Sequence, residues 1–120
     1  MNTTLPIANV WTFVGPFAVV TTAPGQRITA SGSAALAVTA GTSSFSITLC
    51  IQNNSTPGVL SDLSLSNYLD VTVGTTRGLL TLSTSGLPGA GTWRVGLCYD
   101  ANSAAINAND WSTGWVTVTN

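Results

Sequence analysis

Alternation of apolar and polar residues, in short runs cut by glycine and proline, constrains this chain more than any other feature. The run Phe45-Ser46-Ile47-Thr48-Leu49-Cys50-Ile51-Gln52 sets Phe45, Ile47, Leu49 and Ile51 on one side of an extended segment, because successive side chains of a strand point to opposite faces. Trp93, Val95, Leu97 and Tyr99 form a second such set, and Leu63, Leu65, Leu69, Val71 and Val73 a third. Residues 111–119 alternate Thr with Trp or Val, and further strands are expected over 11–14, 17–21, 27–31, 34–38 and 79–83. Turn residues stand between them: Gly15-Pro16, Pro24-Gly25, Ala40-Gly41, Pro57-Gly58, Gly74 and Leu87-Pro88-Gly89-Ala90-Gly91. The only helix-like window is 102–110, whose Asn and Ala content suits a long loop equally well.

Eight or nine short strands with turns at this spacing predict an all-β fold, an antiparallel two-sheet sandwich of jelly-roll type. No composition break marks a linker, so residues 1–120 form one domain. Phe45, Ile47, Leu49, Leu69, Val71, Val73, Trp93, Val95 and Leu97 are expected to face the core. A faint internal echo relates Ala40-Gly41-Thr42 with Leu49-Cys50 to Ala90-Gly91-Thr92 with Leu97-Cys98. It suggests that the two cysteine-bearing strands occupy comparable places.

What such a fold can do is limited by its charge. Charged residues make up 6% of the chain, with three Lys or Arg and four Asp or Glu, against roughly 25% in a typical soluble domain. Lys, His and Glu are all absent. Without His there is no imidazole triad, no His-ligated zinc and no common general base; without Lys there is no Schiff base or P-loop. A net charge of −1 provides no field for nucleic acid or anionic lipid. Neither an enzyme nor a cofactor site is therefore expected. No apolar stretch approaches the roughly 18 residues of a membrane span, so membrane insertion is not expected. Met1-Asn2-Thr3-Thr4-Leu5-Pro6 lacks the basic and apolar regions of a signal peptide. A Ser/Thr/Asn/Gly surface this poor in charge favours subunit association and is common on secreted or particle-borne β proteins.

Cys50 and Cys98 lie out of phase with the large apolar residues of their strands. Two readings stand side by side: a cross-strand disulfide, which needs Cα atoms within about 7 Å, or two half-buried thiols. The Asp residues are scattered. A glycosidase needs two carboxylates on opposing walls of a cleft, where Asp100 and Asp110 could meet, and Asp100, Asn102, Asn107, Asn109 and Asp110 offer hard oxygens of the kind calcium takes. No EF-hand spacing accompanies them, and loop solubility accounts for them as well. Of the indoles, Trp93 is in phase with a core strand, and Trp115 is expected to pack within the sandwich or at a subunit contact. Trp111 follows Asn107-Ala108-Asn109-Asp110, and an indole beside amide and carboxylate groups is the composition of a sugar site.

The stretch Ala105-Ile106-Asn107-Ala108-Asn109-Asp110-Trp111-Ser112-Thr113-Gly114-Trp115-Val116-Thr117-Val118, after the strand Gly91-Thr92-Trp93-Arg94-Val95, resembles the last two strands of tumour-necrosis-factor-like jelly rolls. Residues 17–21, Pro24-Gly25 and 27–38 are compatible with the same layout. Bacterial trimeric lectins of that superfamily are similar in size and strand content. Immunoglobulin-like sandwiches are the alternative, since Gly91-Thr92-Trp93-Arg94-Val95 also suits their strand F, but no Trp falls between Cys50 and Cys98.

The lectin resemblance implies a homotrimer that binds glycans, with fucose-type or mannose-type sugars at subunit interfaces. It implies Arg94, Tyr99, Asp110 and Trp111 as sugar contacts, with Arg77 and Tyr68 supplied by a neighbouring subunit. Trp111 would stack on the sugar while Asn109, Asp110 and Arg94 hydrogen-bond it, a nearby Asp holding the guanidinium in place. The expected function is a carbohydrate-binding module at a cell or particle surface, its shallow sites made useful by multivalency. The alternative is a structural or adhesive domain of a fibre, spike or coat with no small ligand.

Overall fold

The alternating runs fold as strands. The computed structural model describes residues 11–64, 68–100 and 112–120. Among these, the regular elements are β1 (Thr12–Phe13), β2 (Ala18–Thr22), β3 (Arg27–Leu36), β4 (Ser43–Asn53), β5 (Ser61–Asp62), β6 (Leu69–Val73), β7 (Gly78–Gly86), β8 (Gly91–Asp100) and β9 (Ser112–Thr119). The segments expected separately at 27–31 and 34–38 are the single strand β3, because Gly32 and Ser33 keep its pairing with β7 and β9 unbroken. Of the strand expected over 63–73, residues 69–73 form β6; Leu63 and Ser64 turn away after the short β5, which precedes that span. Turns fall where Pro and Gly predict them. Between β2 and β3, Gln26 N–H donates to the Ala23 carbonyl, with Gly25 at φ 81° beside Pro24, the left-handed position that glycine fills without strain.

Two antiparallel sheets pack face to face as a β-sandwich. In one, β8 and β4 pair centrally, β1 and β2 both pair β8 along one edge, and β5 and β6 both pair β4 along the other. Each edge is thus one interrupted strand. The second sheet has the order β7-β3-β9. Its inner face supplies Ile28, Ala30, Ala34 and Leu36, all fully buried against Ile47, Leu49, Val95, Leu97 and Tyr99. Burial of each large side chain contributes roughly 1.5–3 kcal/mol. The sheets approach closely at Gly32, where an added Cβ would lie 3.0 Å from Leu97 Cβ and 3.4 Å from Leu49 Cδ2.

Most of the expected core is in place, with differences at the margins. Leu69 points inward opposite Ile47 yet is 49% exposed. Burial along β6 falls from Val73 to Leu69, where the wider sheet overhangs its three-stranded partner. Val71 and Trp93 are partly buried against the core. The Trp93 indole N–H donates to Thr22 Oγ1 at 3.0 Å, so its polar edge is satisfied as it packs. Cys50 and Cys98, left open between thiols and a bridge, form a disulfide with Cα atoms 5.8 Å apart. Cys50 stands opposite Gly96 and Cys98 opposite Thr48, so the bond crosses the two central strands diagonally. The strands linked by the internal echo are direct neighbours.

Candidate functional site

The break between β1 and β2 shapes the surface beside it. Val14 still donates its N–H to the Leu97 carbonyl, but four residues, Val14 to Phe17, span only Gly96 and Leu97 of β8 before pairing resumes at Ala18 opposite Val95. Pro16 cannot donate to the ladder, and Gly15 holds a φ of 94°. The edge therefore bulges, and a slot opens between it and β9 of the opposite sheet. This slot has a volume of about 170 Å³ and is lined by Phe17, Gly96, Gly32, Gly114, Thr113 and Trp115, among others. Among the described residues no charged side chain lines it. Its volume is well below the roughly 300–1,000 Å³ of pockets that engulf a small molecule, so it suits one face of a ring.

Trp115 is 55% exposed and Phe17 is 42% exposed. The register opposite Ser31 places Trp115 on the outer face of its sheet with Thr113, Thr117 and Thr119, among hydroxyls. This corrects the expectation that Trp115 packs within the sandwich, and an exposed indole is what its other expected place, a subunit contact, requires. The signal that would have separated it from Val116 and Val118 was already present, because Trp115 shares the parity of the threonines on its strand.

Phe17 connects this slot to the outer face of the larger sheet. Its ring lies 5.3 Å from Phe13 and beneath the Arg94 guanidinium, whose Cζ is 5.0 Å from the ring centroid. Arg94 Nε donates to Asn54 Oδ1 at 2.9 Å, and Asn54 is itself fixed by its N–H to the Thr92 carbonyl. An amide therefore holds the guanidinium, where a carboxylate was expected. The cross-strand neighbours of Arg94 are Val19, 53% exposed, and Gln52.

The other sequence-derived candidates scatter. Tyr99 is fully buried opposite Ile47, with its ring edge-on to Phe45 at 6.3 Å. It is a core residue, placed there by the same alternation that buries Leu97, and its assignment as a sugar contact is corrected. Burial also raises the Tyr99 phenol above its ordinary pKa. Tyr68 is 56% exposed and packs on Trp11 at 6.1 Å, immediately before β6. Arg77 is exposed beside the start of β7, near the Leu36 end of β3, whereas Arg94 lies near the opposite end of the sandwich. Within one chain these residues do not converge. Asn109, Asp110 and Trp111 lie outside the described residues, as do Asn102 and Asn107. Among the described residues no three His, Cys, Asp or Glu side chains group as metal ligands. No described helix is long and apolar enough to cross a membrane.

Comparison with protein-family models, with curated proteins and with solved structures finds no match.

Proposed function

We propose that this protein is a carbohydrate-binding module whose sugar stacks on Trp115 in the slot beside Phe17. One observation carries the reading: an exposed indole borders a shallow slot whose described lining carries no charge and whose polar groups there are hydroxyls and backbone. A pyranose has the matching surface, an apolar ring face rimmed by hydroxyls that donate and accept. A single shallow contact of this kind has a Kd on the order of 10⁻⁴ to 10⁻³ M. Working affinity then comes from several copies, and a trimer raises avidity by a factor of roughly 10² to 10⁴.

The jelly-roll, tumour-necrosis-factor-like reading of the sandwich is supported by its connections. The chain changes sheet from β2 to β3, β3 to β4, β6 to β7, β7 to β8 and β8 to β9, and repeated passage between the two sheets is how a jelly roll is wound. An outer-surface location is supported by the disulfide, which persists in oxidising compartments.

Trp115→Ala tests the reading. The variant should lose binding to immobilised glycans while its melting temperature and its mass by sedimentation stay unchanged. The second reading, a structural domain without a small ligand, draws on the exposed Val19, Leu79, Leu87 and Trp115, apolar side chains of the kind that subunit contacts cover. In that case Trp115→Ala lowers the oligomer mass and no glycan binds either form.

A further inference from the structure

We infer that Arg94 is a receptor for a carboxylate, and that the saccharide taken by this surface is an acidic one. The inference rests on the carbohydrate reading and adds the ligand's charge.

Arg94 is one of only three cations in the chain, and it lies where an anion would meet it prepared. Two contacts hold the guanidinium in one plane: the Phe17 ring beneath it and the Asn54 oxygen on Nε. Its orientation is therefore largely fixed before a ligand arrives, which lowers the ordering cost of binding. Among the described residues no carboxylate pairs with it, although four are present in the chain. Its partners there are an amide and an aromatic face, both neutral. The Nε edge is occupied, while the two terminal nitrogens keep the N–H fork that matches a carboxylate's two oxygens.

Geometry joins this fork to the sugar slot. Phe17 lines the slot with Trp115 and also carries Arg94 over its ring. Trp115 and Arg94 stand on the outer faces of opposite sheets. An oligosaccharide following the bulged edge past Phe17, with one ring at Trp115 and the carboxylate of another unit at Arg94, would use both. The surroundings strengthen the interaction: Val19 and Gln52 flank Arg94 without competing charge, and the Phe17 face excludes water from one side of the guanidinium. Charge-assisted hydrogen bonds of this type are about twice as strong as neutral ones. A hexuronic acid or a sialic acid has the required chemistry, and a neutral hexose lacks it.

The test compares hexuronate and sialic acid oligosaccharides with their methyl esters, titrated against the full chain by ligand-observed NMR at low and high salt. Esterification removes the charge and leaves the ring for Trp115. The acid should bind about tenfold tighter than its ester at low salt, with the advantage shrinking as salt rises. In Arg94→Gln the acid should fall to the ester's affinity while ester binding persists. An arginine that merely braced Phe17 would leave the acid-to-ester ratio untouched. Equal binding of acid and ester to the unaltered protein overturns the inference and leaves the carbohydrate reading standing. So does a preference for acid that survives Arg94→Gln. Absence of binding by every acid, ester and neutral saccharide overturns both.

Discussion

Replacing both cysteines by alanine removes the one covalent link between the central strands, and the structure sets the size of the effect. The bridge joins residues 48 apart in sequence. Closing a loop of that length restricts the unfolded chain by about 4 kcal/mol in the chain-entropy model. A domain of this size has a total stability of roughly 6–18 kcal/mol, so the loss is a large fraction of the whole. With an unfolding entropy of about 2 cal/mol/K per residue, it lowers the melting temperature by about 16 °C. Both sulfurs sit in fully buried residues, and truncation to Ala leaves small voids that add to the loss. Urea unfolding of the Cys50→Ala/Cys98→Ala variant, followed by circular dichroism, separates the contributions. Release of the unfolded chain raises the m-value, since a chain without the link exposes more surface, whereas lost packing alone leaves m unchanged. A stability loss below about 1 kcal/mol, or a larger loss with no rise in m, would refute the assignment of the effect to the unfolded state.

Two other perturbations probe the sandwich. Gly32→Ala places a methyl group 3.0 Å from Leu97 Cβ, a backbone-fixed atom. Overpacking of about 1–3 kcal/mol then exceeds the 0.4–1 kcal/mol gained from a stiffer unfolded chain; unchanged or raised stability in urea would contradict the close sheet approach. For Tyr99, burial keeps the native phenol protonated at a pH where the unfolded phenol has ionised. Its contribution is complete below the unfolded pKa of about 10 and is lost as pH rises through the higher folded value. Stability of the native protein should therefore fall on that alkaline side, and Tyr99→Phe should flatten this part of the pH profile.

The fold was legible because a two-residue period survives any change of neighbours. Phe45, Ile47, Leu49, Val95 and Leu97 are buried as the alternation requires. Periodicity assigns a face, however, and does not say how far the opposite sheet extends. Leu69 has the right phase but lies on the overhang. Tyr99 shows the reverse error, since a residue type common in sugar sites outweighed its core phase. Phe17 carried no signal as a site residue, because its role arises from Pro16 and Gly15 interrupting an edge strand and from Arg94 two strand positions away on β8. Sequence spacing does not encode that meeting. The disulfide was undecidable from spacing alone, as it depends on β4 and β8 being neighbours.

The interrupted edges have a physical reason that also accounts for the position of the slot. A sheet edge offers unpaired N–H and C=O groups to any other strand, and many proteins blunt such edges with charged side chains, lysine above all. This chain has no lysine. Its larger sheet instead breaks one edge strand between Phe13 and Ala18, and on the other side the short β5 ends at Asp62 in a turn at Leu63 and Ser64. At the first break, Gly15 and Pro16 remove regular pairing over the span facing Gly96, so no second strand can extend the sheet there in register. The same displacement lifts Phe17 over Gly96, where an added Cβ would lie 3.2 Å from Phe17 Cβ, and exposes the slot floor between the sheets. Glycine at 96 is thus needed for the ring to lie where Arg94 can cover it. A larger side chain at that position would push Phe17 off the sheet, close the link between slot and guanidinium, and leave the core residues Val95 and Leu97, which face the other way, undisturbed.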